Sequence, residues 1–192
     1  MGAEPRLRET ILANAAALFA DRGYSATSVR EVAEACKCTK PALYYHFASK
    51  EALYLACLAH ETEKLLSLER QLLCDATLKE QLTHGLGLFF DHVQNDPTGM
   101  RLLMRAELRP EPNQPAFDFE AMRAHHLGQI QELLAAGVAR GELRRDLDLD
   151  DAAYALKGMV DQRMQMWLHG VALPADLPAR IVSLYFYGAA VR

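Results

Sequence analysis

Long hydrophobic runs and strand-like patterns are scarce in this sequence of 192 residues. No uncharged apolar run approaches the roughly 18 residues that a membrane-spanning helix needs. The first ten residues also lack the apolar core of a signal peptide. We therefore expect a cytoplasmic protein with no membrane partner. Period-two alternation and clusters of β-branched residues are rare, which predicts an all-α fold.

Cysteine is present but not in a pattern that indicates a bonded framework. The four cysteines lie at positions 36, 38, 57 and 74. Without a secretion signal, disulfides are not expected. Cys36 and Cys38 form C-x-C rather than the C-x-x-C of a zinc site. Small buried residues are the favoured interpretation, and a metal- or redox-responsive sensor built on Cys36 and Cys38 is the alternative.

Signatures of catalysis are missing as well. The chain has no G-x-S-x-G, P-loop, H-E-x-x-H or Rossmann glycine pattern. Its adjacent His125 and His126 would diverge by about 100° on a helix, so no shared metal face is expected. We predict neither an enzyme nor a resident cofactor or metal, which leaves the binding and regulatory classes of protein.

Charge is distributed unevenly along the chain. The formal net charge is −4. Residues 1–50 nevertheless hold seven Lys and Arg against five Asp and Glu, whereas the remainder holds fourteen against twenty. A contact with phosphates is therefore expected at the N-terminal end.

Apolar residues recur at helical spacing between short breaks, which predicts nine helices. Ser28 and Glu31 form a capping box, Thr39 can cap the following helix, and Gly23 is a candidate C-cap. Pro41 falls in a first turn, where its missing N–H is tolerated. The predicted helices cover approximately residues 6–21, 29–36, 40–47, 50–73, 77–94, 97–108, 117–140, 148–169 and 176–191.

The third predicted helix carries an unusual outward face. Leu43 and Phe47 point inward, while the outward side chains are Lys40, Ala42, Tyr44, Tyr45 and His46. Exposed aromatic clusters are disfavoured on an inert surface, but they suit a DNA groove, where Lys, Tyr and His reach phosphates and base edges. A short helix, a turn and this helix form a helix-turn-helix. A solvated helix end with two partly buried tyrosines is the alternative.

The stretch from Thr10 to Leu53 resembles the DNA-binding region of tetracycline-repressor-type (TetR/AcrR) regulators. The matching runs are ILANAAALFADRGY, ATSVREVA and LYYHFASKEAL. The resemblance implies about nine helices, with a helix-turn-helix DNA-binding domain over residues 1–49 and a ligand-binding and dimerisation domain over 50–192. It also implies a homodimer that binds double-stranded DNA at a palindromic operator, and repression as the default.

The resemblance further implies roles for particular residues. Phosphate contacts are expected from Thr27, Ser28, Tyr45 and Lys50, and base-edge positions from Arg30, Lys40, Pro41, Ala42, Tyr44 and His46. Placing Thr39 at a helix start, like Thr27 and Ser28, also aims free backbone amides at phosphates. Two residues depart from the family pattern, since Lys37 and Pro41 stand where glycine is common. A positive φ at Lys37 would carry a modest energetic cost.

The last predicted helix is apolar nearly all round from Ile181 to Val191, so it must be covered on more than one side. The eighth helix is also broadly apolar. We expect both to pair with their copies as a four-helix interface, whereas a single thick monomer core is the alternative. The expected interface residues are Tyr154, Met164, Ile181, Leu184, Tyr185 and Tyr187.

Methionine and aromatic residues in the fifth to eighth helices predict an adaptable pocket for a small apolar or amphipathic effector. Arg163 could meet an anionic group of that effector, or pair with Asp161 or Glu120. A helical dimer that binds a ligand but not DNA is a third possibility. The expected pocket residues are Phe89, Phe90, His92, Met100, Met104, His125, Gln129, Met159, Gln162, Arg163, Met166 and Trp167.

Overall fold

The computed structural model describes residues 3–71 and 76–189, with side chains over 6–71 and 76–186. Within these ranges every regular element is an α-helix, so the all-α prediction is confirmed. The fourth helix ends at Glu69, four residues before its predicted end, and residues 72–75 lie outside the described ranges. The helices are α1 (Ala3–Arg22), α2 (Val29–Ala35), α3 (Lys40–His46), α4 (Lys50–Glu69), α5 (Leu78–Asn95), α6 (Pro97–Leu108), α7 (Phe119–Ala139), α8 (Leu149–Leu168) and α9 (Leu177–Ala189).

Side-chain caps fix where several helices begin. The Ser28 Oγ accepts the Glu31 N–H at 3.2 Å, and the Glu31 carboxylate accepts the Ser28 N–H at 2.8 Å, which is the predicted capping box. The Thr39 Oγ likewise accepts the Ala42 N–H at 3.3 Å. Because first-turn amides have no partner within the helix, such acceptors decide the starting residue.

Left-handed backbone conformations end several helices. Gly23 follows α1 with φ +90°, Gly141 follows α7 with φ +75°, and Gly170 follows α8 with φ +87°. Lys37 follows α2 with φ +53°, and it is the one non-glycine residue with positive φ in the described part of the chain. The sequence raised the possibility of a positive φ at Lys37, where glycine is common, and the structure has this conformation.

The chain forms two compact units. The first runs to Leu66 and includes Asn95–Asp118, so it contains α1, α2, α3, α6 and most of α4. Leu43 and Phe47 point into its core, as predicted. Other buried side chains of this core are Ile11, Leu12, Phe19, Val32, Leu53, Tyr54, Leu58, Leu102 and Leu103.

The second unit comprises Ser67–Gln94 and the chain from Phe119 onward, and it holds α5, α7, α8 and α9. The buried Tyr185 hydroxyl of α9 donates to the Ala152 carbonyl of α8 at 3.1 Å. Its core includes Leu78, Leu82, Phe90, Leu134, Leu143, Leu156, Leu177 and Val182. Across the helices that the structure describes, none has the length and hydropathy needed to cross a membrane. The functional boundary between residues 49 and 50 stays a prediction.

Candidate nucleic-acid interface

Helix α3 exposes the aromatic side chains that the sequence predicted to face outward. Tyr44 is 48% exposed and Tyr45 is 75% exposed, while Leu43 beneath them is fully buried. His46 is half-buried, with its ring centroid 5.2 Å from that of Tyr45. Lys40 and Pro41 are exposed, and Ala42 is half-buried. The outward face of α3 therefore presents hydroxyl, imidazole and ammonium groups to solvent.

Helix α2 contributes polar groups beside this face. Arg30 is exposed, and its Nε lies 2.7 Å from the Glu34 Oε1. An exposed ion pair four residues apart on a helix contributes little to stability, because water screens the two charges. The Arg30 guanidinium can therefore exchange Glu34 for a phosphate or a base at little cost. Ser28 and Thr39 are also exposed, although each hydroxyl already caps its own helix.

The structure places Thr27 differently from the phosphate contact that the family resemblance implied. Its side chain is 1% exposed. The hydroxyl donates to the Gly23 carbonyl at 2.8 Å and lies 3.2 Å from the Leu18 carbonyl oxygen. Because a buried hydroxyl keeps its internal acceptors, Thr27 fastens the end of α1 to the start of α2 and does not face solvent.

Two basic side chains rest on aromatic rings of the first unit. The Lys50 Nζ lies 4.2 Å from the centroid of the Tyr24 ring, and burial lowers the pKa of this ammonium. The Arg8 guanidinium lies 5.4 Å from the centroid of Phe47, the residue that ends α3. Rings hold cations in this way by their quadrupole. The contact between Arg8 and Phe47 was not predicted, because the sequence around Arg8 does not show that this side of α1 faces Phe47.

The predicted pocket residues are divided between the two units. Met100 and Met104 belong to the first unit and the other ten to the second. Phe90 and Met100 are buried, and His125 and Gln162 are exposed. The half-buried members are Phe89, His92, Met104, Gln129, Met159, Arg163, Met166 and Trp167.

Polar groups near these residues form pairs that the sequence did not specify. The Nε2 atoms of His125 and His126 lie 2.9 and 3.5 Å from the two Glu69 carboxylate oxygens. The expected divergence of these neighbours therefore does not prevent both from reaching one carboxylate. Burial lowers the pKa of His126. Asp161, an alternative partner for Arg163, pairs with Lys157.

The described residues give little support to a metal site or to a reactive thiol. No group of three or more His, Cys, Asp or Glu side chains among them is arranged to hold a metal ion. Cys36, Cys38 and Cys57 are free thiols, and Cys74 lies outside the described ranges. Burial, with Cys38 nearby, raises the pKa of Cys36 to about 11. Since the thiolate is the reactive form, this counts against a sensor at Cys36.

The six expected interface residues have different exposures. Met164, Ile181 and Tyr185 are buried within the chain, so they hold the second unit together. Tyr154 and Leu184 are the exposed members, at 62% and 65%. The Tyr187 side chain lies outside the described part. Among the five members whose side chains are described, Tyr154 on α8 and Leu184 on α9 therefore remain exposed.

A helix-turn-helix whose second helix is exposed, joined to further helices, is an architecture of DNA-binding transcription regulators. Residues 11–57 match the model of the bacterial regulatory proteins of the tetR family. The repressor KstR2 of Mycolicibacterium smegmatis is 34% identical over 145 residues, which cover 74% of this chain and 70% of KstR2. The chain belongs to the TetR family, whose members are transcription regulators and not enzymes.

Other relatives and solved structures agree. The activator FasR of Mycolicibacterium smegmatis is 38% identical over 106 residues, 55% of this chain and 48% of FasR, so the match spans about half of that relative. TylP of Streptomyces fradiae has a TM-score of 0.70 at 29% identity, covering 98% of this chain and 89% of TylP. KstR2 of Mycobacterium tuberculosis has a TM-score of 0.75 at 24% identity over 96% and 95% of the two chains, which shows the common fold.

Proposed function

We propose that this protein is a ligand-responsive repressor that binds a palindromic operator as a homodimer in the cytoplasm. A small apolar or amphipathic effector releases it from DNA. The observation that carries the DNA-binding part is the exposure of Tyr44, Tyr45 and Lys40 above the buried Leu43. Repression is supported by the relative KstR2, a repressor, although FasR is an activator.

We name the exposed face of α3, with Lys40, Tyr44, Tyr45 and His46, the reading face, and its side chains suggest a division of labour. Lys50 and the Tyr45 hydroxyl bind phosphates, which supplies affinity without sequence preference. Tyr44 and His46 read base edges or thymine methyls, which supplies specificity. Removing Tyr44 and His46 together should therefore lower the affinity for the operator far more than the affinity for unrelated DNA.

Recovery of bound genomic fragments tests this proposal. The wild type, the Tyr44→Ala/His46→Ala variant and a His169→Ala control are mixed with sheared genomic DNA, and the retained fragments are sequenced. We expect the wild type and the exposed-surface control to enrich one palindromic motif that the double variant does not enrich. Retention of no sequence by the wild type over a range of salt concentrations would favour the ligand-binding dimer without DNA.

A dimer is proposed because two reading helices one DNA turn apart match a palindrome. The exposed Leu184 and Tyr154 mark the surface. Sedimentation of Leu184→Asp tests it against Leu108→Asp, because Leu108 in the first unit is also 50% exposed. We expect Leu184→Asp alone to give monomers. A wild type that is monomeric at all concentrations, or two variants with the same dimer affinity, would contradict the dimer.

Effector release follows from linkage between the two binding events. An effector that prefers a form in which the two copies of α3 are wrongly spaced for the operator weakens DNA binding. DNA weakens effector binding by the same free energy, typically about 1–3 kcal/mol. Helix α4 begins at Lys50, directly after the DNA-reading head formed by α1, α2 and α3. It is the proposed lever between effector binding and DNA binding. A thermal-shift screen of aromatic, lipid-like and drug-like compounds tests this, and the absence of any binder would count against it.

The metal- or redox-responsive alternative has its own test. Replacing Cys36 and Cys38 by serine should leave the response to the effector unchanged. Loss of that response, or a response of the wild type to peroxide or zinc that the double variant lacks, would favour the sensor.

A further inference from the structure

An acidic side chain from the proline-rich segment after α6 holds the turn between α1 and α2. One Glu111 oxygen accepts the backbone N–H of Tyr24 at 3.0 Å, and the other accepts that of Ser25 at 2.8 Å. Burial alone would raise the pKa of Glu111, but these amides and the nearby Arg105 hold it below its usual value. The group is therefore a carboxylate at neutral pH, with each oxygen serving one amide.

Arg105, in the last turn of α6, binds the other side of the same turn. Its guanidinium donates to the carbonyls of Asp21 at 3.4 Å and Arg22 at 3.3 Å, at the end of α1. It also lies 3.7 Å from the Glu111 carboxylate. The final carbonyls of a helix have no partner within the helix, so Arg105 acts as a C-terminal cap that comes from a distant part of the chain.

Gly23 makes room for this arrangement. A Cβ at Gly23 would lie 1.8 Å from the Glu111 Oε1 and 2.7 Å from the Arg105 Nη2. Glycine is therefore needed for two reasons, the positive φ and the approach of these two side chains. The turn and the charged pair fit each other closely.

The turn lies where the DNA-facing elements of the first unit begin. Ser28 and Arg30 of α2 follow it directly, and Lys50 at the start of α4 packs on its Tyr24 ring. The Tyr24 ring also meets the buried Tyr54 ring of α4, with 4.9 Å between centroids. A shift of this turn would therefore move Arg30, which is expected at a base edge, together with Ser28 and Lys50, which are expected at phosphates.

We propose that Glu111 and Arg105 are positioning residues of the DNA-reading head. They hold the turn between α1 and α2 in the conformation that binds the operator, although both lie outside the helix-turn-helix in sequence. The inference rests on the proposed function and adds that operator affinity depends on the segment at and after the end of α6.

Glu111→Gln tests this with Glu132→Gln as the matched control, because Glu132 is an exposed carboxylate of α7. Glutamine has one acceptor oxygen and an NH₂ donor, so it cannot serve both amides. Removing a negative charge by itself favours DNA binding. We expect the ratio of operator affinity to scrambled-duplex affinity to be about tenfold lower for Glu111→Gln than for Glu132→Gln.

A purely stabilising role would change the melting temperature without changing the ratio of operator to scrambled affinity in the folded protein. Equal ratios for the two variants would overturn the inference. If the wild type selects no operator at all, the proposed function fails instead. Should Glu111→Gln not fold, Arg105→Lys keeps the charge but cannot donate to both carbonyls as a guanidinium does. The same loss of ratio is expected for it, and an unchanged ratio would equally overturn the inference.

Discussion

Replacing Lys37 by glycine should stabilise the protein. Lys37 occupies the left-handed position of a Schellman motif, in which the Cys38 N–H donates to the Ala33 carbonyl at 3.0 Å and the Lys37 N–H to the Glu34 carbonyl at 3.1 Å. Glycine can keep both hydrogen bonds, and removing the lysine side chain costs no packing because it is exposed. The same pattern of bonds ends α7, where Gly141 takes this position.

The magnitude follows from two opposing effects. A left-handed conformation costs a residue with a Cβ roughly 1–2 kcal/mol. Glycine loses more backbone freedom on folding, which costs about 0.5–1 kcal/mol. We therefore expect Lys37→Gly to raise the free energy of unfolding by about 0.5–1 kcal/mol, and the melting temperature by about 2 °C in a chain of this length.

Thermal and urea unfolding measure the change. Lys37→Ala is the control, because it removes the charge but keeps the Cβ. Gly141→Ala is the reverse test, since a Cβ there meets no atom within 4 Å and only the backbone conformation is penalised. We expect Gly141→Ala to destabilise by a similar amount. A Lys37→Gly variant no more stable than Lys37→Ala would refute the assignment of strain to this turn.

Three further predictions concern buried or half-buried groups. Tyr185→Phe should lower the free energy of unfolding by about 1 kcal/mol, because it leaves the Ala152 carbonyl without the 3.1 Å hydrogen bond, and an unchanged urea midpoint would contradict this. Gly99→Ala should destabilise by about 1–3 kcal/mol through overpacking, since its Cβ would lie 2.0 Å from the Glu61 Oε2, whereas a higher melting temperature would show that the carboxylate moves aside. At pH 8 iodoacetamide should label Cys36 more slowly in the native protein than in urea, because a pKa raised to about 11 keeps the thiol protonated. Equal labelling rates would contradict the raised pKa, and with it the argument against a sensor at Cys36.

The end of α1 and the starts of α2 and α3 could be predicted because the signals that set them are local. The Ser28 and Glu31 capping box, Thr39 with Pro41, and Gly23 each act within a few residues of the helix end they define. The inward pair of α3 could also be predicted, because helical spacing alone separates its two faces. The exposure of its tyrosines follows from the same spacing.

Roles that depend on distant parts of the chain could not be predicted. Glu111 stands in a proline-rich break and has the appearance of an ordinary loop residue, but its partners lie 86 and 87 residues away in sequence. Thr27 is a different case, because its acceptors, the Leu18 and Gly23 carbonyls, lie only nine and four residues away. The family resemblance implied a phosphate contact there, whereas the fold buries the hydroxyl against these carbonyls.

What covers the apolar helix α9 could not be predicted from its pattern of residues. An apolar helix must be covered, but its sequence does not say whether its own chain or a second copy covers it. Ile181 and Tyr185 of α9 are buried within the chain, whereas Leu184 is exposed. The three differ only in helical phase relative to neighbours that are remote in sequence.

The central claim is that the face of α3 reads DNA sequence. The most direct test is a titration of the genomically selected duplex and a scrambled duplex of equal length with the wild type and Tyr44→Ala/His46→Ala, at several salt concentrations. We predict that the wild type binds the selected duplex at least about 10³-fold more tightly than the scrambled one, with two chains per duplex, and that the double variant loses most of this ratio. Equal affinity of the wild type for both duplexes at every salt concentration would contradict the claim.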